Sequence, residues 1–421
     1  MDKLKPSTAP KVVHLQYGTS PAGNYTLRQH EAFLEAGFDS TLLSLYSSVQ
    51  GDPTIQSLGK IAHLKSRINQ KLQDLITRNR NRDLGAFSCS FLGSDISGHP
   101  LVQNADYIYV HYVLGGFLSI KNLEQLARLG KPVIMVMHDM WSITGGCSYS
   151  FECEKFTTHC NNCPILAGDK HVDLSFLQFK KKKDFYDKFN NLYFVSPSTW
   201  LQNLAKKSEL TKNKPIFRIP NPIDRTVFKP FNKRIAKTIL NIDANQYVVA
   251  FGANKITSPY KGWRYLQAAL KKLKEKNPTK NISVLVFGAA GDQALKDAIP
   301  FEGKFMGFIS DDYTTNLVYN AADVFVAPSL ADNLPTTIVE SMCCGTPVVG
   351  FNVGGIPDMI KHKENGYLAH YKDADDLAKG IEFCLTNPLS GGLSEEFSTE
   401  RIIEDHLNLY SYITNSSRNG A

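Results

Sequence analysis

The feature that most constrains this chain is a recurring kind of apolar segment, hydrophobic at nearly every position rather than at every second one. "KVVHLQY", "STLLSL", "YIYVHYV", "PVIMVMH" and "LYFVSPS" occupy the first half, and "YVVAFGA", "ISVLVFGA", "DVFVAPS" and "TPVVGF" the second, with helical patterns between them. A strand with one wet face alternates, so an unbroken apolar run marks a strand covered on both faces, as in a parallel sheet flanked by helices. Two such sets predict an α/β chain of two doubly wound, Rossmann-like domains. At 421 residues with 43% hydrophobic content the chain can fill two cores. Three prolines in "FRIPNPIDRTVFKP" separate the sets, which places an N-terminal domain at 1–213 and a second domain at 214–394. The amphipathic stretch 395–421 reads as a pair of helices crossing back onto the first domain and ending in a disordered tail, "TNSSRNGA". Open α/β sheets bind ligands beyond the carboxyl ends of their strands, so the two domains are expected to face each other across a ligand-binding cleft.

The net charge of +7 is small for this length and argues only weakly for an anionic partner. No apolar run approaches the roughly 20 residues a spanning helix needs, and "MDKLKPSTAPKVVHLQYG" lacks a secretory core, so the expectation is a soluble, cytoplasmic protein. Eight cysteines are too few for a disulfide scaffold, yet four crowd between Cys147 and Cys163.

Two segments of the second domain carry candidate chemistry. In "AFGANKITSPYKGW", Lys255 and Lys261 stand on a strand-to-helix loop, suited to neutralising the charge of a diphosphate; surface lysines are the bland alternative. In "APSLADNLPTTIVESMCCGTPVVGF", a loop runs from Leu330 to Pro335 and a helix opens near Thr336. The unpaired N–H groups and dipole of its first turn favour a phosphate. Asp332 lies in that loop and Glu340 further along the helix. The bland alternative makes Asp332 a helix cap and Glu340 a solvated carboxylate. In the first domain His138 ends the strand "PVIMVMHDMW", where a core or capping histidine is the alternative. Gly18 and Gly23 lie in "YGTSPAGNYTLRQH", where glycine lets backbone approach a ligand closely.

The order strand, Pro-Ser, acidic residue, seven residues, Glu340, then "CGTPVVGFNVGGIPDMIKHKENGYL" resembles the nucleotide-sugar signature of the family-four retaining glycosyltransferases, which have the GT-B fold. "VSPSTWL", "IPNPID" and "NAADVFVAPS" support the resemblance. It implies that Glu340 bonds the donor ribose hydroxyls, that Asp332, one methylene shorter than the family's usual Glu, lies by the transferred sugar, and that Lys261 holds the diphosphate. Lys255 takes the place of an arginine, which keeps the charge but not the bidentate fork. Asn333, Leu334, Pro335 and Thr336 would cradle donor phosphates or sugar, and His138 would contact the transferred sugar. The implied activity is transfer of a hexose from a nucleotide-diphosphate sugar to a glycan or lipid-linked saccharide acceptor, with retention and without a catalytic metal.

The segment 145–165 spaces Cys147, Cys153, Cys160 and Cys163 as C-x5-C-x6-C-x2-C. This fits a closed, structural zinc site, four reduced thiols, or two disulfides in an oxidising compartment. The block resembles the polysaccharide-assembly, colanic-acid-type branch of the same family, which implies a cell-surface glycan role. "KSRINQKLQDLITRNRNR" and "FKKKKDFYDKF" are suited to anionic lipid or to a solvated face, giving an expectation of peripheral contact at the inner face of a membrane; no nucleic acid is expected. Asp373-Ala-Asp375 opens a helical pattern and reads as a cap, and "GAAGD" is an incomplete dinucleotide fingerprint. The rivals are a nucleotide-sugar epimerase or phosphorylase on the same fold, and a zinc-stabilised protein that binds glycan or nucleic acid without catalysis.

Overall fold

The computed structural model describes residues 9–20, 24–166, 173–253, 256, 258–288 and 293–419. The chain divides into two units, 1–222 with 398–421, and 223–397.

The first unit is built on a parallel sheet of β1 (Lys11–Thr19), β2 (Asp39–Ser47), β3 (Ile55–Ser57), β4 (Tyr107–Val110), β5 (Val133–Val136), β6 (Leu192–Ser196) and β7 (Ile216–Arg218), in the order β3-β2-β1-β4-β5-β6-β7. The order reverses between β1 and β4, which opens a crevice beyond their carboxyl ends. Successive residues of a strand face opposite ways. Val13, Ile108 and Val133 therefore enter one core, and Val12, Tyr109 and Ile134 enter another on the opposite face. That second face is covered by the helix Thr399–Asn419 through Ile402, Leu409, Tyr410 and Ile413.

The second unit repeats the plan with β8 (Tyr247–Gly252), β9 (Ile282–Phe287), β10 (Glu302–Phe305), β11 (Val324–Ala327), β12 (Val348–Phe351) and β13 (Gly366–Ala369), all parallel, in the order β10-β9-β8-β11-β12-β13. Its order reverses between β8 and β11. Val248, Leu285 and Phe325 fill one core and Val249, Val284 and Val326 the other.

Three details differ from the sequence reading. The division falls at 222/223, later than the expected 213/214, because β7 still pairs with β6 and completes the first sheet. In place of a helix pair there is one short turn, Glu395–Phe397, and one long helix. Residues 414–419 of the expected tail continue that helix, with Ile413 buried just before them.

Candidate functional site

In the second unit the loops after β8 and β11 meet at the point of strand reversal. The Leu330 N–H donates to the Tyr260 carbonyl at 2.7 Å. Gly262 has φ +72°, and a Cβ there would lie 1.7 Å from the Pro328 carbonyl oxygen, so only glycine fits. Gly354, at φ +62°, plays the same part against the Asp332 carbonyl, to which the Gly355 N–H donates at 3.1 Å.

This junction brings Lys261 and Asp332 together across 71 residues of sequence, Lys261 Nζ lying 2.7 Å from Asp332 Oδ2. Ser329 Oγ donates to the same oxygen at 3.2 Å. Asp332 is buried, whereas the Lys261 side chain is partly exposed. Asp332 is not the helix cap: the helix Thr336–Cys343 is preceded by Pro335 in the capping position, whose ring makes no capping hydrogen bond. Asn333, Leu334 and Pro335 are buried and Thr336 and Thr337 half-buried at this end of the helix. Glu340, the fifth residue of the helix, is buried rather than solvated, and its Oε2 accepts from the Tyr319 hydroxyl at 2.9 Å. Tyr319 is fully buried in the helix Asp312–Ala321, so it holds the carboxylate from behind. Tyr319 stands outside the motif that marks Glu340; its signal in the sequence is a tyrosine just ahead of the "NAADVFVAPS" segment. Lys255 lies outside the described residues. Asp373 caps its helix, accepting from the Asp375 and Asp376 N–H groups at 2.9 and 3.0 Å.

In the first unit, His138 lies just past the end of β5 and joins a row of imidazoles that crosses three neighbouring strands. His14 Nδ1 is 3.0 Å from His111 Nε2, and His111 Nδ1 is 3.0 Å from His138 Nε2. Burial holds His14 and His111 well below the usual histidine range and pushes His138 down to about 4, so all three are neutral near pH 7. The His138 ring also stacks on Tyr25, centroids 5.4 Å apart. Neither His14 nor His111 was picked out from the sequence, since each sits in or beside a strand that reads simply as core. Among the described residues no atom lies within 4 Å of a Cβ built on Gly18. Asn24, which caps the helix Tyr25–Glu35, donates to the Gly18 carbonyl at 3.1 Å. Gly23 lies outside the described residues.

The cysteine segment folds into short turns beside this unit's core. Cys147 bridges Phe87 and packs with Cys89, Ile165 and Cys163. The Gly145 N–H donates to Cys160 Sγ at 3.2 Å, and the N–H groups of Ile165 and Leu166 approach the Cys163 sulfur. Burial pushes the Cys147 and Cys160 thiols up to about 12, with smaller upward contributions from neighbouring cysteines, Cys153 and Cys163 in both cases. All four are free thiols, and among the described residues no group of three or more His, Cys, Asp or Glu side chains is arranged to hold a metal ion. Lys182 lies buried beneath them, donating to the Trp141 and Thr144 carbonyls, its pKa pushed down to about 7 by burial.

Residues 245–387 match the family described as glycosyl transferases group 1. An uncharacterized glycosyltransferase of Haemophilus influenzae is 29% identical over 157 residues, which cover 35% of this chain and 44% of that protein. The chain matches less than half the length of the first curated relatives. Among solved structures, sucrose-phosphate synthase of Thermosynechococcus elongatus superposes with a TM-score of 0.61 at 16% identity, over 96% of this chain and 100% of that one. HepE of Anabaena, solved in complex with UDP and glucose, gives 0.59 at 16%, over 96% and 100%. These structures share the fold of two Rossmann-like domains.

Proposed function

We propose that the chain is a glycosyltransferase that takes a hexose from a nucleotide-diphosphate sugar and transfers it, with retention, to a glycan or lipid-linked saccharide acceptor in cell-surface polysaccharide assembly. The observation that carries the reading is the junction at the reversal of the second sheet, where Lys261 pairs with buried Asp332 just ahead of the helix that carries buried Glu340, all within the stretch that matches the glycosyl transferases group 1 family. That the HepE structure holds UDP supports a nucleotide donor.

Glu340, steadied by Tyr319, accepts from the ribose hydroxyls. The helix N-terminus with Thr336 and the backbone of Asn333 and Leu334 hold the diphosphate. Lys261 faces a choice: in the free protein it neutralises Asp332, and an arriving diphosphate competes for the same ammonium. Donor binding thus exchanges a lysine–aspartate pair for a lysine–phosphate contact, which leaves Asp332 to orient sugar hydroxyls. As the glycosidic bond breaks, negative charge grows on the leaving diphosphate, where Lys261 and the helix dipole stabilise it. Lys255 is assigned to the same diphosphate and His138 to the transferred sugar, as the resemblance implies. The protein is assayed with nucleotide-sugar donors and saccharide acceptors. Transfer with release of nucleoside diphosphate is expected; donor conversion without acceptor, or a requirement for free phosphate, would favour an epimerase or phosphorylase.

For Cys147, Cys153, Cys160 and Cys163 the proposal is a structural zinc. As described the four thiols are not arranged around a metal and burial favours their protonated forms, so zinc would have to draw them together; what supports the proposal is their spacing and the backbone N–H groups directed at the Cys160 and Cys163 sulfurs. Metal analysis of the purified protein is expected to find about one zinc per chain; none, with no loss of stability on chelation, would leave four plain thiols.

A further inference from the structure

The helix Lys60–Ile76 is mounted with its apolar face outward. A helix on the surface of a sheet normally buries its apolar stripe. Here the inward positions are Ala62, Ser66 and Asn69, with Thr77 as the C-cap, and polar contacts from Ser66, Asn69 and half-buried Gln73 seat the helix. Ser66 Oγ donates to the Gly115 carbonyl at 2.7 Å, Asn69 Oδ1 accepts from the Phe91 and Leu92 N–H groups at 2.8 and 3.0 Å, and Gln73 Oε1 accepts from the Cys89 N–H at 2.9 Å. A Cβ on Gly116 would fall 2.8 Å from the Ser66 Cα, so the helix backbone rides close on this polar face.

Ile61, Leu64, Ile68, Leu75 and Ile76 are left between 47% and 76% exposed. At about 100° per residue, Ile61, Leu64, Ile68 and Leu75 fall on one stripe, with half-buried Leu72 among them. Exposed Lys60, Arg67 and Lys71 line one side of the stripe and Lys65 the other, and Arg78 follows at the C-terminal end. Asp74 is the helix's one acidic residue and is 3.5 Å from Arg80. The other basic stretch is built differently: in the helix Leu174–Lys188, Phe179, Phe185, Tyr186 and Lys182 turn inward, which leaves a charged face with little apolar surface.

We propose that the helix Lys60–Ile76 is a docking surface for an anionic lipid bilayer, lying in the plane of the headgroups. The stripe enters the acyl boundary while the flanking cations meet lipid phosphates. An apolar stripe alone would equally suit a second copy of this chain. The cations on both flanks decide against that, because two such faces brought together would oppose like charges, whereas an anionic surface answers charge and stripe at once. Among the described residues no helix is long and apolar enough to cross a membrane, so this contact would be peripheral.

The test is flotation of the full chain with phosphatidylcholine vesicles, with and without about a third phosphatidylglycerol. Binding is expected to the anionic vesicles, at least ~10-fold weaker to the neutral ones, and to fall with added salt. Ile68→Glu and the double change Lys65→Glu, Lys71→Glu should each reduce partitioning at least ~10-fold, and none of these side chains belongs to the polar face that seats the helix. Leu64→Trp should shift its emission to the blue on adding anionic vesicles. Equal binding of wild type and Ile68→Glu would overturn the proposal. So would a dimer in sedimentation that Ile68→Glu dissociates, with no vesicle binding. The readouts need no catalytic turnover, so they stand apart from the assignment of the transferase site.

Discussion

At the scale of single residues, the two carboxylates that look alike in sequence have different tasks. Glu340 is braced by a buried tyrosine, while Asp332 is tied to Lys261, the cation that the proposed function assigns to the donor diphosphate. Glu340→Ala and Lys261→Ala are each expected to lower transferase activity by at least ~100-fold, since each removes a charged contact in the site. Tyr319→Phe should cost less, about 10-fold and mainly in donor KM, because it loosens the carboxylate without deleting it. Steady-state kinetics on folded variants checks both. The helix that carries Glu340 was legible because it holds a recognisable motif. The Lys261–Asp332 pair was not, since spacing along the chain does not reveal that the loops after β8 and β11 abut. The same holds for His14 and His111, whose alignment with His138 exists only once β1, β4 and β5 lie side by side.

At the scale of elements, the strands readable in the sequence are the interior ones. β3, β7, β10 and β13, none of which stood out as an apolar segment, are the four edges of the two sheets. An edge strand has one neighbour and is incompletely covered, so it carries no continuous apolar signature, and β3 and β10 have largely exposed residues. The row of buried histidines beside β1, β4 and β5 gives the first unit a pH dependence. His138 and His30 are pushed down to about 4 and His406 to about 3, from an ordinary value of 6.5. A depressed histidine binds its proton more readily in the unfolded chain, so its stability contribution is complete above about pH 6.5 and is lost as pH falls toward 4, on the order of 3 kcal/mol for each such group. Urea unfolding monitored at pH 7.5 and 5 should show the first unit markedly weaker at the lower pH. Equal midpoints would mean that these imidazoles are hydrated rather than buried.

At the scale of the whole molecule, the last helix belongs to the first unit although its sequence follows the second. It inserts Ile402, Leu409, Tyr410 and Ile413 against the sheet, and His406 Nδ1 lies 2.9 Å from the Tyr109 hydroxyl. Side chains of this kind contribute ~1.5–3 kcal/mol each when buried, together comparable to the net stability of a domain. Ending the chain at 397 should therefore unfold the first unit, read as loss of the cooperative transition that includes Trp141 and Trp200, while the second unit keeps its fold. The sequence showed an amphipathic terminal segment and its destination. It did not show that the segment is one helix, because the polar residues after Ile413 are the same kinds that make a tail.

The claim on which the account turns is that the second unit holds a nucleoside diphosphate at the reversal of its sheet. It is tested most directly by titration calorimetry of the full chain with nucleoside diphosphates and with inorganic pyrophosphate. Binding of at least one nucleoside diphosphate is expected. Glu340→Ala should weaken that binding by ~10-fold or more while leaving pyrophosphate unaffected, and Lys261→Ala should weaken both. Unchanged affinities in both folded variants would contradict it.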